Sequence, residues 1–383
     1  MENRVIPTAV PGKFNFGTGG VTNVIFRINE HLEKYLCFDY LLATPLKRKE
    51  YAEYIQNMGG NVIELKKSKM PAVGVIVLMY SAVKILKRGR YSICYINSNA
   101  ALGMFFWGII AKASKIPVVI GHSHCSYMDA RLPLRAIKTF CHYAIKPFLP
   151  LVIDEYLTCS SKAAAWMYPR SIRKAVVCIN NPVDVDRYVF NSAIRNFKRA
   201  EYHLEGKFVV GHVGRFAYQK NHHFLLKVFK EILKRRVNAV LFLIGDGSLY
   251  EKVKKFAEKI GLENHVVFLG TTPLVHEYMQ IFDVFILPSW FEGFPLVGIE
   301  AQCSGLPCFF SGAITEESDI TGNCHFLSLK KRPGQWANEI LRYTDSFVRK
   351  DCSGLVRQKG YDVQDCAGQL RDVFVASLKD KSL

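Results

Sequence analysis

Residues 283–310 read DVFILPSWFEGFPLVGIEAQCSGLPCFF. An apolar run, Asp283–Leu287, leads into a loop with Trp290 and Glu292, then a helix-like stretch, Gly298–Ser304, then a second apolar run, Pro307–Phe310. Parallel strands need a crossover connection, so short apolar runs separated by a helix-length segment predict a parallel β-α-β unit. The alternation continues backwards. Phe208–His212, Ala239–Gly245 and His265–Leu269 read as strands, with helices near Phe224–Lys234, Leu249–Lys259 and Leu274–Gln280. It starts again nearer the N-terminus, with strands Phe38–Ala43, Ser92–Asn97, Pro117–Gly121, Glu155–Cys159 and Ala175–Ile179. Helical periodicity marks Val21–Leu36, Ala72–Lys87, Ala100–Ala113 and Arg131–Leu149 between them. A strand before all of these is interrupted by Pro7 and Pro11, which predicts a weak one.

A length of 383 residues fits two domains at roughly 150 residues each. The polar, irregular stretch between Asn181 and Gly206 predicts the boundary. The expected fold class is α/β, with two doubly wound Rossmann-like domains, 1–190 and 191–361, facing across a cleft. A C-terminal helix at about 362–383 is expected to pack back onto the first domain. Ligands of such sheets bind outside the carboxyl ends of the strands, which places the expected site between the domains.

Apolar residues make up 49% of the chain and aromatic residues 13%, which excludes disorder. With 51 Lys and Arg against 33 Asp and Glu, the net charge of +18 predicts an anionic partner. The aromatic-basic interleaving of RNA-binding motifs is missing, so nucleic acid is not expected. Eleven cysteines scattered without a CxxC pair read as reduced thiols. The opening MENRVIPTAVPGKF has no signal-peptide core, so a cytoplasmic location is expected. The apolar runs Ala72–Val83 and Ala100–Ala111 are shorter than the roughly 18 to 20 residues of a membrane span and read as buried helices.

Gly17-Thr18-Gly19-Gly20 opens onto the Val21–Leu36 helix, where free amides and the helix dipole suit a phosphate; a plain tight turn reads equally. His122 and His124 end the run IPVVIGHSH, and a spacing of two puts both on one side of a strand. They are an incomplete zinc set, and hydrogen-bonded loop histidines remain a reading for them. Arg215 and Lys220 lie five residues apart in a glycine-flanked loop. A guanidinium fork beside an ammonium makes a diphosphate clamp, although solvated loop cations are the plainer reading. Gly245-Asp246-Gly247 predicts a turn allowing close backbone approach. Glu292 falls in a loop and Glu300 two turns into the following helix, so together they suit one elongated, hydroxyl-bearing ligand. A paired-carboxylate hydrolase competes for this reading, but it has no need of the basic clamp.

GHVGRFAYQKN, LIGDGSLY, NHVVFLG and LPSWFEGFPLVGIEAQCSGLP resemble the C-terminal half of retaining family-4 glycosyltransferases with the GT-B fold, closest to bacterial exopolysaccharide and capsule enzymes. GTGGVTNVIFRINEHL, the HSH strand end and NPVDVDRY extend the resemblance over nearly the whole chain. It implies a donor nucleotide sugar, with UDP favoured, a glycan acceptor, possibly linked to polyprenyl diphosphate, and no cofactor or metal. Arg215 and Lys220 would hold the donor diphosphate and Glu300 the ribose. Glu292, with Gly293 and the amides of Phe294, Leu296 and Val297, would hold the donor sugar. Gly19 and Gly20 would approach the diphosphate, and Gly270 with Thr271 the base. His124, or else His122, would lie beside the transferred sugar. Asp184-Val185-Asp186 spells DxD but falls in the expected linker, where it reads as structural. A catalytically silent protein of the same fold that binds nucleotide sugar or glycan and regulates a partner is the alternative.

Arg131, Arg135, Lys138, His142 and Lys146 recur at helical spacing, with Ile137, Phe140, Ala144 and Phe148 on another face. Either the apolar face enters the core, or the basic face docks on anionic lipid, which would make the protein peripheral at the inner face of the cell membrane.

Overall fold

The computed structural model describes residues 6–12, 20–46, 50–66, 68, 71–125, 134–292 and 294–381. The chain forms two compact units, Met1–Pro182 with Val363–Leu383, and Val183–Asp362. The division falls eight residues before the expected 190/191 boundary. Its cause is packing, because Val183, Val185 and Tyr188 are buried in the core of the second unit. The helix Val363–Lys381 packs on helix Gly20–Glu30 and on the strand Val118–Ser123 of the first unit.

The first unit holds β1 (Ile6–Gly12), β2 (Leu36–Leu42), β3 (Val62–Glu64), β4 (Ile93–Ser98), β5 (Val118–Ser123), β6 (Glu155–Thr158) and β7 (Val177–Cys178). They form one parallel sheet in the order β3-β2-β1-β4-β5-β6-β7. The second unit holds β8 (Val209–Val213), β9 (Val240–Ile244), β10 (Val266–Gly270), β11 (Val284–Leu287), β12 (Cys308–Ser311) and β13 (Cys324–Leu327), parallel in the order β10-β9-β8-β11-β12-β13. In both sheets the order reverses beside the first strand of the unit, the topology that leaves a crevice at the carboxyl ends.

The second sheet is covered on both faces, which is why its strands read as unbroken apolar runs rather than alternating ones. Phe285 and Leu287 enter one core, whereas Val284 and Ile286 enter the other. Gly298 lets helix Leu296–Cys303 lie close on β12, because a Cβ there would meet Phe310 Cζ at 2.7 Å.

Two expectations fail in the first unit. β1 is a central strand paired with β2 over all seven residues, not a weak one. Pro7 and Pro11 share one parity, and Pro7 C=O accepts from Ser92 N–H on the β4 side. The absent amide hydrogens therefore fall toward β4, where pairing is confined to Thr8 and Ala9, and the β1–β2 ladder loses no donor. The second failure is the helix Leu134–Ile145, whose apolar side chains do not enter the core, although Arg135 and Lys138 stay exposed as expected. His142 and Lys146 are buried, while Ile137 is 59% and Phe140 74% exposed. Apolar side chains likewise emerge from the two helices expected to be buried, Ile76 and Tyr80 from Pro71–Arg88 and Leu102 from Ala101–Ala113. Arg131 lies outside the described residues. All eleven cysteines are free.

Candidate functional site

In the second unit the loops after β8, β9, β10 and β11 interlock at the carboxyl edge of the sheet. Gly214 N–H donates to Ile244 C=O at 2.9 Å, Phe216 N–H to Asp246 C=O at 2.9 Å, and Gly245 N–H to Gly270 C=O at 2.8 Å. The approach is closest at Gly245, whose φ is +138° and where a Cβ would stand 2.2 Å from Gly214 O. Only glycine fits there. Asn221 takes the left-handed conformation at φ 53°, and its Nδ2 donates to Pro288 C=O at 3.1 Å, tying the β8 loop to the β11 loop. Asparagine tolerates that backbone better than most side chains do.

This tie brings Lys220 to Glu292. Lys220 Nζ donates to Glu292 Oε1 at 2.8 Å, and both side chains are largely screened from water. Gln219, which the sequence reading missed, holds the carboxylate from the other side. Its Nε2 donates to Glu292 Oε2 and to Phe291 C=O, each at 3.0 Å, and its own C=O accepts from Trp290 N–H at 2.8 Å. Its place beside Lys220 was the available signal. Arg215 is exposed on the same loop.

Helix Leu296–Cys303 begins after the Glu292 loop with Pro295 at its N-cap, and no side chain caps it. The first amides of a helix have no intrahelical acceptor, so Leu296 and Val297 present donors at this end. Glu300 is buried within the helix. Phe294 stacks on Tyr361 with ring centroids 5.6 Å apart. Gly270 stands at φ +75° next to exposed Thr271, joined to the site through its bond to Gly245. Gly293 lies outside the described residues.

Behind the loop sit two buried histidines. His212 Nδ1–H donates to Ile286 C=O at 2.8 Å, and His222 stacks on Phe216 at 4.2 Å. Burial pushes them down to about 4 and about 2, so both are neutral at pH 7.

In the first unit His122 and His124 lie on one side at the end of β5, with rings 4.0 Å apart. Tyr95 Oη and His122 Nδ1 share a hydrogen bond of 2.6 Å. His124 Nδ1 lies 3.1 Å from Asn181 Oδ1 and Nε2 lies 2.8 Å from Asn97 Oδ1. Burial holds His122 well below its ordinary range and His124 at about 4. A neutral imidazole donates through one nitrogen and accepts through the other, so one of the two amides presents its NH2 to His124. Asn97 and Asn181 were also missed; each stands at or just beyond a strand's carboxyl end, the position that marks them. Gly20 opens helix Gly20–Glu30, while Gly19 lies outside the described residues.

The DxD segment is structural. Asp184 caps helix Val185–Tyr188 and pairs with Arg187 at 2.8 Å, and Asp186 pairs with Arg357. Among the described residues no three acidic, histidine or cysteine side chains gather as a metal set. No helix among them is long and apolar enough to cross a membrane.

Residues 194–343 match the family model for glycosyl transferases group 1. The chain is 29% identical over 387 residues to EpsF of Bacillus subtilis (strain 168), covering 94% of this chain and 95% of that protein. It is 25% identical over 321 residues to the UDP-Gal:alpha-D-GlcNAc-diphosphoundecaprenol alpha-1,3-galactosyltransferase of Escherichia coli, covering 79% and 80%. Its structure is similar to Anabaena HepE in complex with UDP and glucose, with a TM-score of 0.75 at 14% identity over 97% of this chain and 100% of that one. The two Rossmann-like units have the GT-B fold.

Proposed function

We propose that this protein, a glycosyltransferase of the group 1 kind, moves a sugar with retention of configuration from a UDP-sugar to a glycan acceptor. The acceptor is carried on a polyprenyl diphosphate, as in surface-polysaccharide assembly. The observation that carries the reading is the Lys220–Glu292 pair beside the uncapped start of helix Leu296–Cys303. UDP in the similar solved structure and the diphosphoundecaprenol substrate named for the Escherichia coli relative support the choice of partners.

Without donor, Lys220 and Glu292 neutralise one another. A diphosphate carries more negative charge than the carboxylate and draws Lys220 to itself, joined by Arg215. Glu292 is then left to accept hydrogen bonds from sugar hydroxyls, with the Phe294, Leu296 and Val297 amides as donors. Glu300 accepts from the ribose, while Gly270 and Thr271 border the base. Gly19 and Gly20 belong to the same diphosphate-binding assignment. The cations stabilise charge developing on the departing diphosphate, so the reaction proceeds without a metal. The departing phosphate oxygen takes the acceptor's proton, and the histidines, neutral at pH 7, serve as hydrogen-bonding partners rather than acids. Of the pair, His124 is assigned to the transferred sugar.

The test is incubation with a panel of UDP-sugars and polyprenyl-diphosphate-linked acceptors in EDTA, with the product's anomer read by NMR. Transfer with retention is expected. Transfer only on adding Mn²⁺ or Mg²⁺, or an inverted product, rejects the mechanism.

A further inference from the structure

We propose that His212 is a positioning residue for Lys220: its Nε2 lone pair accepts a hydrogen bond from the Lys220 ammonium when a diphosphate draws that group away from Glu292. The inference rests on the diphosphate reading of Lys220 and deepens it.

His212 lies on β8, fully buried, on the face that it shares with Val210. A strand covered on both faces ordinarily carries apolar residues there, so an imidazole in that place needs a reason. Its Nδ1 lies 2.8 Å from Ile286 C=O. A carbonyl can only accept, so Nδ1 carries the proton of the neutral ring and Nε2 is left with a bare lone pair. That nitrogen is sealed from water and has no donor in the protein. A buried acceptor left in this way is destabilising until a donor reaches it.

The space in front of Nε2 is shared with Lys220. A Cβ built on Gly214 would stand 3.3 Å from His212 Nε2, and 3.1 and 3.2 Å from Lys220 Cε and Cδ. Glycine at 214 therefore leaves room for the lysine stem to run past the nitrogen. The bond to Glu292 Oε1 occupies one of the three N–H donors of the ammonium. The Lys220 side chain is largely screened from water, which leaves the other donors little solvent to turn to. A buried acceptor without a donor and a screened cation with donors to spare thus meet at one place. An ammonium on a flexible four-carbon stem stabilises developing charge well only when it is held at a fixed point, and a neutral imidazole opposite the phosphate supplies that hold.

His222 is the competing partner. Its ring stands edge to face with that of His212, 4.8 Å between centroids, and neither of its nitrogens is bonded. It is stacked on Phe216, however, and carries no charge for a diphosphate to recruit. Lys220 is the group whose partner changes when a diphosphate arrives.

Asparagine and glutamine separate the two ends of the ring. His212→Asn puts an amide N–H where Nδ1 stands and removes the Nε2 acceptor, whereas His212→Gln carries an amide oxygen out to the Nε2 position. UDP is titrated calorimetrically into the full-length wild type, both variants, Lys220→Ala, and Lys220→Ala with His212→Asn, with thermal melting to show that each is folded. His212→Asn should weaken binding about ten-fold, the worth of a hydrogen bond to a charged group, and His212→Gln should recover most of that loss. In the Lys220→Ala background His212→Asn should cost nothing further, because the group it serves is gone. In the unsubstituted protein the 15N signal of His212 Nε2 should move on adding UDP as the bare nitrogen takes up a donor. Equal losses in the two backgrounds, the outcome expected of a structural contact with His222, would overturn the proposal. So would unchanged affinity in His212→Asn, no recovery in His212→Gln, or an unmoved 15N signal. A wild type that fails to bind UDP strikes the diphosphate reading itself, whereas binding that His212→Asn leaves intact strikes this proposal alone.

Discussion

The carboxyl ends of the two sheets share a topology and differ in chemistry. In the second unit, Lys220 and Glu292 meet as opposite charges, held by Gln219. In the first, His122 and His124 meet neutral partners, Tyr95, Asn97 and Asn181, and burial keeps both rings uncharged. A doubly wound sheet therefore supplies a place, and the residues that end its strands decide what the place does. One edge is suited to handling charge and the other to directing hydrogen bonds.

The sharpest way to break this contrast is at Lys220. Lys220→Ala should lower turnover by about two to three orders of magnitude, in line with losing a group aimed at developing charge. It also leaves Glu292 screened from water without its partner, which destabilises the fold by about 3 kcal/mol or more. Adding Glu292→Gln should restore most of that stability while leaving turnover low. Denaturant unfolding and a transfer assay on the two variants separate the roles, and recovery of turnover in the double variant would count against Lys220 as the diphosphate group.

A smaller effect is expected from the carboxylates. Glu300→Ala should weaken nucleoside diphosphate binding by about ten-fold, roughly the worth of a hydrogen bond to a charged group. Glu292→Gln should leave that affinity intact or raise it, because Lys220 is no longer held by an anion, yet transfer should fall. Equal losses of affinity in the two variants would remove the division of labour.

A different effect, on stability and not on binding, is spread over both units and appears as pH dependence. His122, His124, His212 and His222 all have folded-state pKa values below the ordinary 6.5, so the unfolded chain binds more protons as pH falls. Stability should be level above about pH 7 and decline from 6.5 toward 4, each histidine adding at most about 1.4 kcal/mol per pH unit. Urea unfolding at pH 5 and pH 7.5 measures it. His212→Phe and His124→Asn should each flatten the decline, one in each unit.

Most of the second unit was legible because its sheet is buried on both faces, so its strands stand out as apolar runs between helices. The first unit was less so. β1 looked broken because single-chain reading counts prolines without knowing which neighbour each residue faces. Helix Leu134–Ile145 was misread because periodicity does not say which single residues turn inward; His142 and, in the following turn, Lys146 are satisfied by Ala101, Trp166 and Ala165, none of them near in sequence. Glu292 and Lys220 were singled out separately, but their pairing depends on Asn221 bridging to Pro288, a contact across 67 residues. Gln219, Asn97 and Asn181 were missed because uncharged amides carry no motif of their own.

Calorimetric titration of UDP into the wild type, Lys220→Ala, Glu300→Ala and His124→Ala tests the central claim most directly. If the charged edge of the second unit holds the nucleoside diphosphate, the Lys220 and Glu300 variants lose affinity by about ten-fold or more, and His124→Ala binds as the wild type does. Undiminished binding in the first two, with the loss appearing in His124→Ala, would contradict it.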